Sequence, residues 1–348
     1  MTDIAILGFG VVGSGIYTVL SKCRNAPLNG VNIKHILDLR SFPAHPLASK
    51  VTKDFDMIIA DESVSVVVET MGGVDPAYRF SLAALNAGKS VVTSNKAVVD
   101  KHGAELEQAA IDNGVCYLYE ASVGGGIPII APLRECFTAD KIIRIAGILN
   151  GTTNHILTNM RAEGKTLKSA LDTARALGYA EADPRSDLAG FDTARKIAIL
   201  AGLAFDRYIP FESIPVIEGI EDVTLEDIRL AEELGCVIKL LAVAEKVGDH
   251  VEICVAPFLV GTHSIFHAVN DVQNAISVTG SVTGEVVFYG QGAGSLPTAA
   301  AVCGDIARII SGASALPLRR ECEPGFVLPY GGDYKRVTLA NGKIYRVF

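Results

Sequence analysis

From residue 2 to about 120, short β-branched runs alternate with stretches whose apolar residues recur every three or four positions. The strand-like runs are DIAIL, VNIKHIL, SVVVET, SVVTS and VCYLYE; helices are predicted through VVGSGIYTVLSKC, AYRFSLAALNAG and near HGAELEQAAIDNG. Strands that are apolar on both faces need helices on both sides, and strand-helix alternation supplies them. The pattern predicts an α/β fold with a doubly wound parallel sheet over residues 1–127.

The pattern then changes. From about 128 to 235 the periodicity is mostly helical, with TNHILTNMRAEG, TLKSALDTARALG and DTARKIAILAG each closed by glycine, and Thr224 with Asp227 resembling a capping box. Residues 236 to 290 read as hairpins, one turning at Gly248-Asp249 and another in the glycine-punctuated AISVTGSVTGEVVFYG. A second, α+β domain is therefore expected over 128–296. Pro297 opens another helix, about 297–318, expected to rejoin the first domain, and 319–348 reads as a Pro- and Gly-rich tail with short strands.

Composition narrows the class. Hydrophobic residues make up 49% of 348, enough to fill a sizeable core. A net charge of −8, with no basic run longer than two, argues against nucleic acid or an anionic membrane as partner. The seven cysteines (Cys23, Cys116, Cys136, Cys236, Cys254, Cys303, Cys322) form no CxxC pair and sit mostly in apolar stretches, as reduced buried thiols do. No leader-like start and no membrane-length apolar run is present, so a cytoplasmic protein with small-molecule or protein partners is expected.

The chemistry begins with Gly8-Phe9-Gly10-Val11-Val12-Gly13, a GxGxxG placed after the first strand and opening the first helix. Its glycines allow a tight turn and close approach of a pyrophosphate to a helix N-terminus, which makes the first domain Rossmann-type. The second strand runs into Asp38 and Arg40. An acid there would hold a ribose 2′-hydroxyl and an arginine would accept a 2′-phosphate; the reading leans to NADP(H), with NAD(H) open. Ser94-Asn95-Lys96 follows the strand SVVT at the sheet's carboxyl edge, where Lys96 is either a ligand group or a lysine at the surface of a helix start. Gly88-Lys89-Ser90 is no P-loop, because the glycine needed five positions earlier is Ala83.

Two further segments concern chemistry by presence and by absence. Glu120 precedes Val123-Gly124-Gly125-Gly126-Ile127, a flexible backbone that could present carbonyls to a cation or act as a hinge. In Asn150-Gly151-Thr152-Thr153-Asn154, glycine stands where aldehyde-oxidising thioester enzymes carry a nucleophilic cysteine, so covalent acyl chemistry is disfavoured. The scattered histidines offer no metal or nucleophile pattern, which leaves lysine for proton transfer. GYAEADPRSDLAGFDTARK, residues 178–196, carries Glu181, Asp183, Asp187 and Asp192 and ends on Lys196. If that end is helical, Asp192 and Lys196 share a face, as an ordinary ion pair or as two groups aimed at one ligand.

Together, GFGVVG, SNKAVV, YEASVGGGIPI, NGTTNHIL, the 178–196 segment and GQGAGSLPTAAAV resemble homoserine dehydrogenase in order over about 300 residues. The resemblance implies reversible NAD(P)-dependent interconversion of L-homoserine and L-aspartate 4-semialdehyde, a step toward threonine, methionine and isoleucine. It makes Lys196 the proton-transfer lysine and Lys96 a second lysine at the cofactor–substrate junction. Glu181 and Asp192 would receive the substrate ammonium, with Asp187 nearby; Gly151, Thr152 and Tyr179 would line the pocket, and Asp183 would mainly shape its loop. Gly8, Gly10, Val11, Val12, Gly13, Arg40, Thr70, Ser94, Lys96, Gly292 and Gly294 are expected at the cofactor. Glu120, Val123, Gly125 and Ile127 match a structural site for a monovalent cation, Na+ or K+, held largely by carbonyls.

The resemblance also implies a homodimer through the hairpin strands. The tail is too short for an ACT domain, so threonine control through one is not expected. The rival readings are another Rossmann-fold semialdehyde or amino-acid dehydrogenase, and a non-catalytic NADP(H) sensor. A sensor would need the glycine loop without the two lysines and the acids.

Overall fold

A computed structural model describes residues 2–22, 25–315, 319–331 and 336–348; Cys23 lies outside them. The chain divides into two compact units, Met1–Ile130 with Ala293–Arg319, and Ala131–Gly292 with Arg320–Phe348.

The first unit starts with β1 (Thr2–Leu7), α1 (Val11–Lys22), β2 (Val31–Leu37), β3 (Val51–Thr52), α2 (Phe55–Ala60) and β4 (Val64–Glu69). It continues through α3 (Asp75–Asn86), β5 (Ser90–Thr93), α4 (Lys96–Asp112) and β6 (Tyr117–Leu118). The strands pair in parallel in the order β3-β2-β1-β4-β5-β6. The chain steps outward from β1 in one direction through β2, then returns beside β1 with β4 and steps the other way. That reversal is the switch point where such sheets bind ligands at their carboxyl ends. Ile4, Ala5, Ile6 and Leu7 of β1 are fully buried, as a strand covered on both faces requires. The residues between β2 and β4, which carried no element in the sequence reading, hold β3 and α2, a helix of only six residues capped by Asp54.

Beyond the short α5 (Ile130–Glu135), the second unit contains β7 (Ile142–Ile148), α6 (Gly151–Glu163), α7 (Leu167–Ala176), α8 (Arg185–Leu188) and α9 (Phe191–Ala204). It continues with β8 (Arg207–Tyr208), α10 (Leu225–Glu233), β9 (Cys236–Val247), β10 (His250–Gly261), β11 (Gln273–Gly280) and β12 (Gly284–Gln291). The chain re-enters the first unit as α11 (Ser295–Ile310), where the Ser295 hydroxyl donates to the Val11 carbonyl at 2.7 Å and ties α11 to α1. Four short strands follow in the second unit: β13 (Arg320–Glu321), β14 (Val327–Pro329), β15 (Arg336–Thr338) and β16 (Ile344–Val347).

The second unit's main sheet runs β12-β11-β7-β9-β10-β16-β15, with β14 also on β10. β9 and β10, twelve residues each, form an antiparallel hairpin turning at Gly248, whose φ of 54° suits glycine. The capping box at Thr224 and Asp227 is present at the start of α10. The helical reading of 128–235 needs one correction. Residues 142–148 form β7, placed between β9 and β11, because an isoleucine-rich run with a buried carboxyl end satisfies two antiparallel neighbours better than a helix.

Candidate functional site

In the first unit the glycine loop leaves β1 at the switch point. Gly8 has φ +90°, and a Cβ on Gly13 would stand 2.2 Å from the Gly8 carbonyl oxygen, so both positions demand glycine. The Thr70 hydroxyl, at the end of β4, donates to the Gly8 carbonyl at 2.7 Å and fixes the turn. Val11 and Val12 open α1, and Val11 is 70% exposed, so that helix start faces outward.

Asp38 and Arg40 do not stand as alternatives. The Asp38 carboxylate accepts the Phe9 amide at 2.8 Å and receives Arg40 through its amide, Nε and Nη2 at 2.9, 3.0 and 2.8 Å. The hydrogen-bonded Arg40 guanidinium holds this carboxyl far below the usual range. Arg40 itself remains exposed, 3.9 Å from where a Cβ on Gly10 would stand. Beyond β5, Asn95 caps α4 by accepting the Ala97 and Val98 amides, which makes Lys96 the first helical residue; Ser94 lies just before the cap. Gly294, with φ +120°, precedes α11 in the same unit.

The acidic segment lies in the second unit, on α8 and α9. Asp192 and Lys196 share one face of α9, and Lys196 Nζ lies 2.7 Å from Asp192 Oδ2, with both side chains largely buried. Lys196 also donates to the Leu149 carbonyl at 2.8 Å. The Asn150 amide donates to both Asp187 and Asp192 at 2.8 Å, while its oxygen caps α6 by accepting the Thr153 amide at 2.9 Å. One asparagine therefore joins two carboxylates to the start of α6. Asn150 has no part in the sequence reading; its cap and the carboxylates its amide faces across 37 and 42 residues of chain appear only in the fold.

Gly151 is the first residue of α6, and a Cβ there would stand 2.8 Å from the Val272 carbonyl oxygen, so the position excludes any side chain, cysteine included. The Thr152 hydroxyl donates to the Tyr179 carbonyl at 2.7 Å, and the half-exposed Tyr179 ring packs edge-on to buried His155. Gly292 closes against Asn274, whose amide nitrogen a Cβ there would overlap at 1.9 Å. Of the expected acids, Glu181 is exposed and takes no part in this network, and Asp183 pairs with Arg185 in the open.

Glu120, in the first unit, is buried, and its Oε1 accepts the Ile129 and Ile130 amides at 2.6 and 2.8 Å. Gly124 and Gly125 turn the following backbone through φ of 78° and 57°, with Val123 and Ile127 buried on either side. Among the described residues, no group of three or more His, Cys, Asp and Glu could hold a metal ion, so any ion here would depend on carbonyls.

Two family models match, homoserine dehydrogenase over residues 128–307 and the homoserine dehydrogenase NAD binding domain over residues 8–120. The chain belongs to the homoserine dehydrogenase family. It is 42% identical to the homoserine dehydrogenase of Synechocystis over 317 residues, covering 88% of this chain and 73% of that one. With that of Bacillus subtilis it shares 40% identity over 315 residues, covering 88% and 72%. The crystal structure of a homoserine dehydrogenase from Thiobacillus denitrificans superposes with a TM-score of 0.87 at 38% identity, covering 94% of this chain and 79% of that one. A hyperthermophilic archaeal homoserine dehydrogenase in complex with NADPH superposes at 0.76 with 27% identity, covering 91% and 99%. As a homoserine dehydrogenase family member the chain is a nicotinamide-dependent oxidoreductase, and no helix of its described residues is long and apolar enough to cross a membrane.

Proposed function

We propose that this chain catalyses the reversible NAD(P)-dependent interconversion of L-homoserine and L-aspartate 4-semialdehyde, in threonine, methionine and isoleucine biosynthesis. The observation that carries the reading is the buried Asp192–Lys196 pair on one helix face, joined to Asp187 through Asn150. An amino-acid zwitterion needs carboxylates for its ammonium, and a carbonyl becoming a hydroxyl needs a proton donor. Asp192, with Asp187 and Glu181, serves the first need, and Lys196 serves the second. Lys196 gives its proton to the developing alkoxide in the reducing direction and takes it back in the oxidising one. Its contacts with the Leu149 carbonyl and the Asp192 carboxylate keep the ammonium aimed. Gly151, Thr152 and Tyr179 line the pocket around it. The nicotinamide, when bound, accepts or donates the hydride.

Gly8, Gly10, Val11, Val12, Gly13, Thr70, Ser94, Lys96, Gly292 and Gly294 serve the cofactor, and Lys96 is also a second catalytic lysine. NADP(H) is the preferred form, because Asp38 is already spent on Arg40 and Phe9 while the Arg40 guanidinium is presented outward. A monovalent cation at Glu120, Val123, Gly125 and Ile127 plays a structural role. The protein works in the cytoplasm as a homodimer, for which β12, an edge strand carrying 61%-exposed Tyr289, offers a pairing surface. Lys196→Ala tests the mechanism: turnover of aspartate semialdehyde is expected to vanish while NADPH still binds. Wild-type turnover in that variant would refute it.

A further inference from the structure

At the carboxyl ends of β4 and β5 the fold buries a carboxylate to which the proposed chemistry gives no part. Glu69 is fully buried. Its Oε1 accepts the Met71 amide at 2.7 Å, its Oε2 accepts the Thr93 hydroxyl at 2.5 Å, and the Asn95 side chain also bonds to it. Burial pushes its carboxyl up to about 7 against those hydrogen bonds, so keeping a charge there costs the fold stability. An apolar residue would serve a merely structural position at lower cost, so what the carboxylate holds becomes the question.

It holds two segments at once. On one side, Thr93 Oγ1 accepts the Asn95 amide at 2.9 Å, and Asn95 in turn caps the helix whose first residue is Lys96. The Asn95 amide group also donates to the Gly73 carbonyl at 2.7 Å, closing the ring back onto the β4 exit. On the other side, Met71 and Thr70 border the glycine loop: a Cβ on Gly8 would stand 3.0 Å from Met71 Cγ, and the Thr70 hydroxyl bonds the Gly8 carbonyl. A shift of Glu69 is therefore a shift of the Lys96 turn relative to the glycine loop.

We infer that Glu69 is a positioning residue, which through Thr93 and Met71 holds the Ser94-Asn95-Lys96 turn in register with the Gly8–Gly13 loop. The inference rests on the role proposed above for Lys96.

The test uses the full chain with Glu69→Gln, Thr93→Val, Lys96→Ala and the double variant Glu69→Gln/Lys96→Ala. Homoserine oxidation gives kcat and KM, nucleotide fluorescence gives NADPH affinity, and thermal unfolding reports the fold. Gln keeps one accepting oxygen where the carboxylate has two, and Val removes the hydroxyl without changing shape. Both variants are expected to lower kcat on the order of tenfold or more, the scale of a small misplacement at a reacting centre. Homoserine KM and NADPH affinity should stay within about threefold of wild type, and Glu69→Gln should add less than about twofold to the loss already caused by Lys96→Ala.

Wild-type kcat in Glu69→Gln, with Lys96→Ala slow, would overturn the inference alone. Wild-type kcat in Lys96→Ala would overturn the reading of Lys96 beneath it. Parallel falls in kcat, NADPH affinity and melting temperature in both Glu69→Gln and Thr93→Val would reduce Glu69 to a structural residue and overturn the inference as well.

Discussion

Asn150 performs two separable jobs, and substitutions there separate them. Its oxygen caps α6 through the Thr153 amide, and its NH2 group bridges half-buried Asp187 and buried Asp192. Losing an N-cap costs about 1 kcal/mol. Taking the donor from a buried carboxylate costs about 1.5–3 kcal/mol, whereas water replaces much of what Asp187 loses. Asn150→Ser keeps the cap and loses the bridge, at about 1.5–3 kcal/mol. Asn150→Ala loses both, at about 2.5–4 kcal/mol.

Asn150→Asp is the decisive variant. It caps as well as asparagine, yet it sets a third carboxylate where the two donor hydrogens now lie, so repulsion replaces attraction. At pH 7 the predicted order of stability is wild type, Ser, Ala, Asp. Urea unfolding followed by far-UV circular dichroism measures it, since the chain has no tryptophan to report. Homoserine KM should rise in all three variants as Asp192 loses its anchor. An Asn150→Asp protein as stable as wild type would show that capping dominates and that the bridge to the carboxylates contributes nothing.

Two further outcomes follow from buried or paired charges. Arg40→Ala should weaken NADPH binding about tenfold or more and leave NADH binding within about twofold, since it removes the exposed guanidinium and releases Asp38 for a ribose hydroxyl; parallel titrations with the two nucleotides check this. Asp305 is buried, and burial, then the charge of Glu120, raise its carboxyl to about 7 from an ordinary 3.8. The folded state therefore binds that proton more tightly than the unfolded state, so the stability it contributes is full below the ordinary value and is lost as pH rises through about 7. The stability advantage of wild type over Asp305→Asn should accordingly shrink by about 1–3 kcal/mol between pH 5 and pH 8. Parallel denaturation curves at the two pH values would refute it.

Local signals carried much of this fold and part of its candidate site. The four-residue spacing of Asp192 and Lys196 was enough to place them on one face, because helix geometry alone decides it. The glycine loop was equally legible, since strand, glycines and helix are adjacent in the chain. What could not be read were contacts made across the fold. Asn150 carried no role in the sequence, because its carboxylate partners lie 37 and 42 residues away. Asp38 and Arg40 seemed to offer a choice of cofactor, whereas a tight turn sets them on each other. β7 was hidden among helical patterns because its strand character is expressed through pairing with β9 and β11, both far along the chain. Glu69 closed an ordinary apolar strand, and only its burial beneath Thr93 distinguishes it from a surface acid.

As a member of the homoserine dehydrogenase family, this chain exchanges a hydride between homoserine and a nicotinamide cofactor. Purified protein incubated with L-homoserine and either NADP+ or NAD+, followed at the absorbance of the reduced nicotinamide, tests it directly. A homoserine-dependent rise, faster with NADP+ and absent in Lys196→Ala, is the predicted result. No rise with either nucleotide would refute that activity.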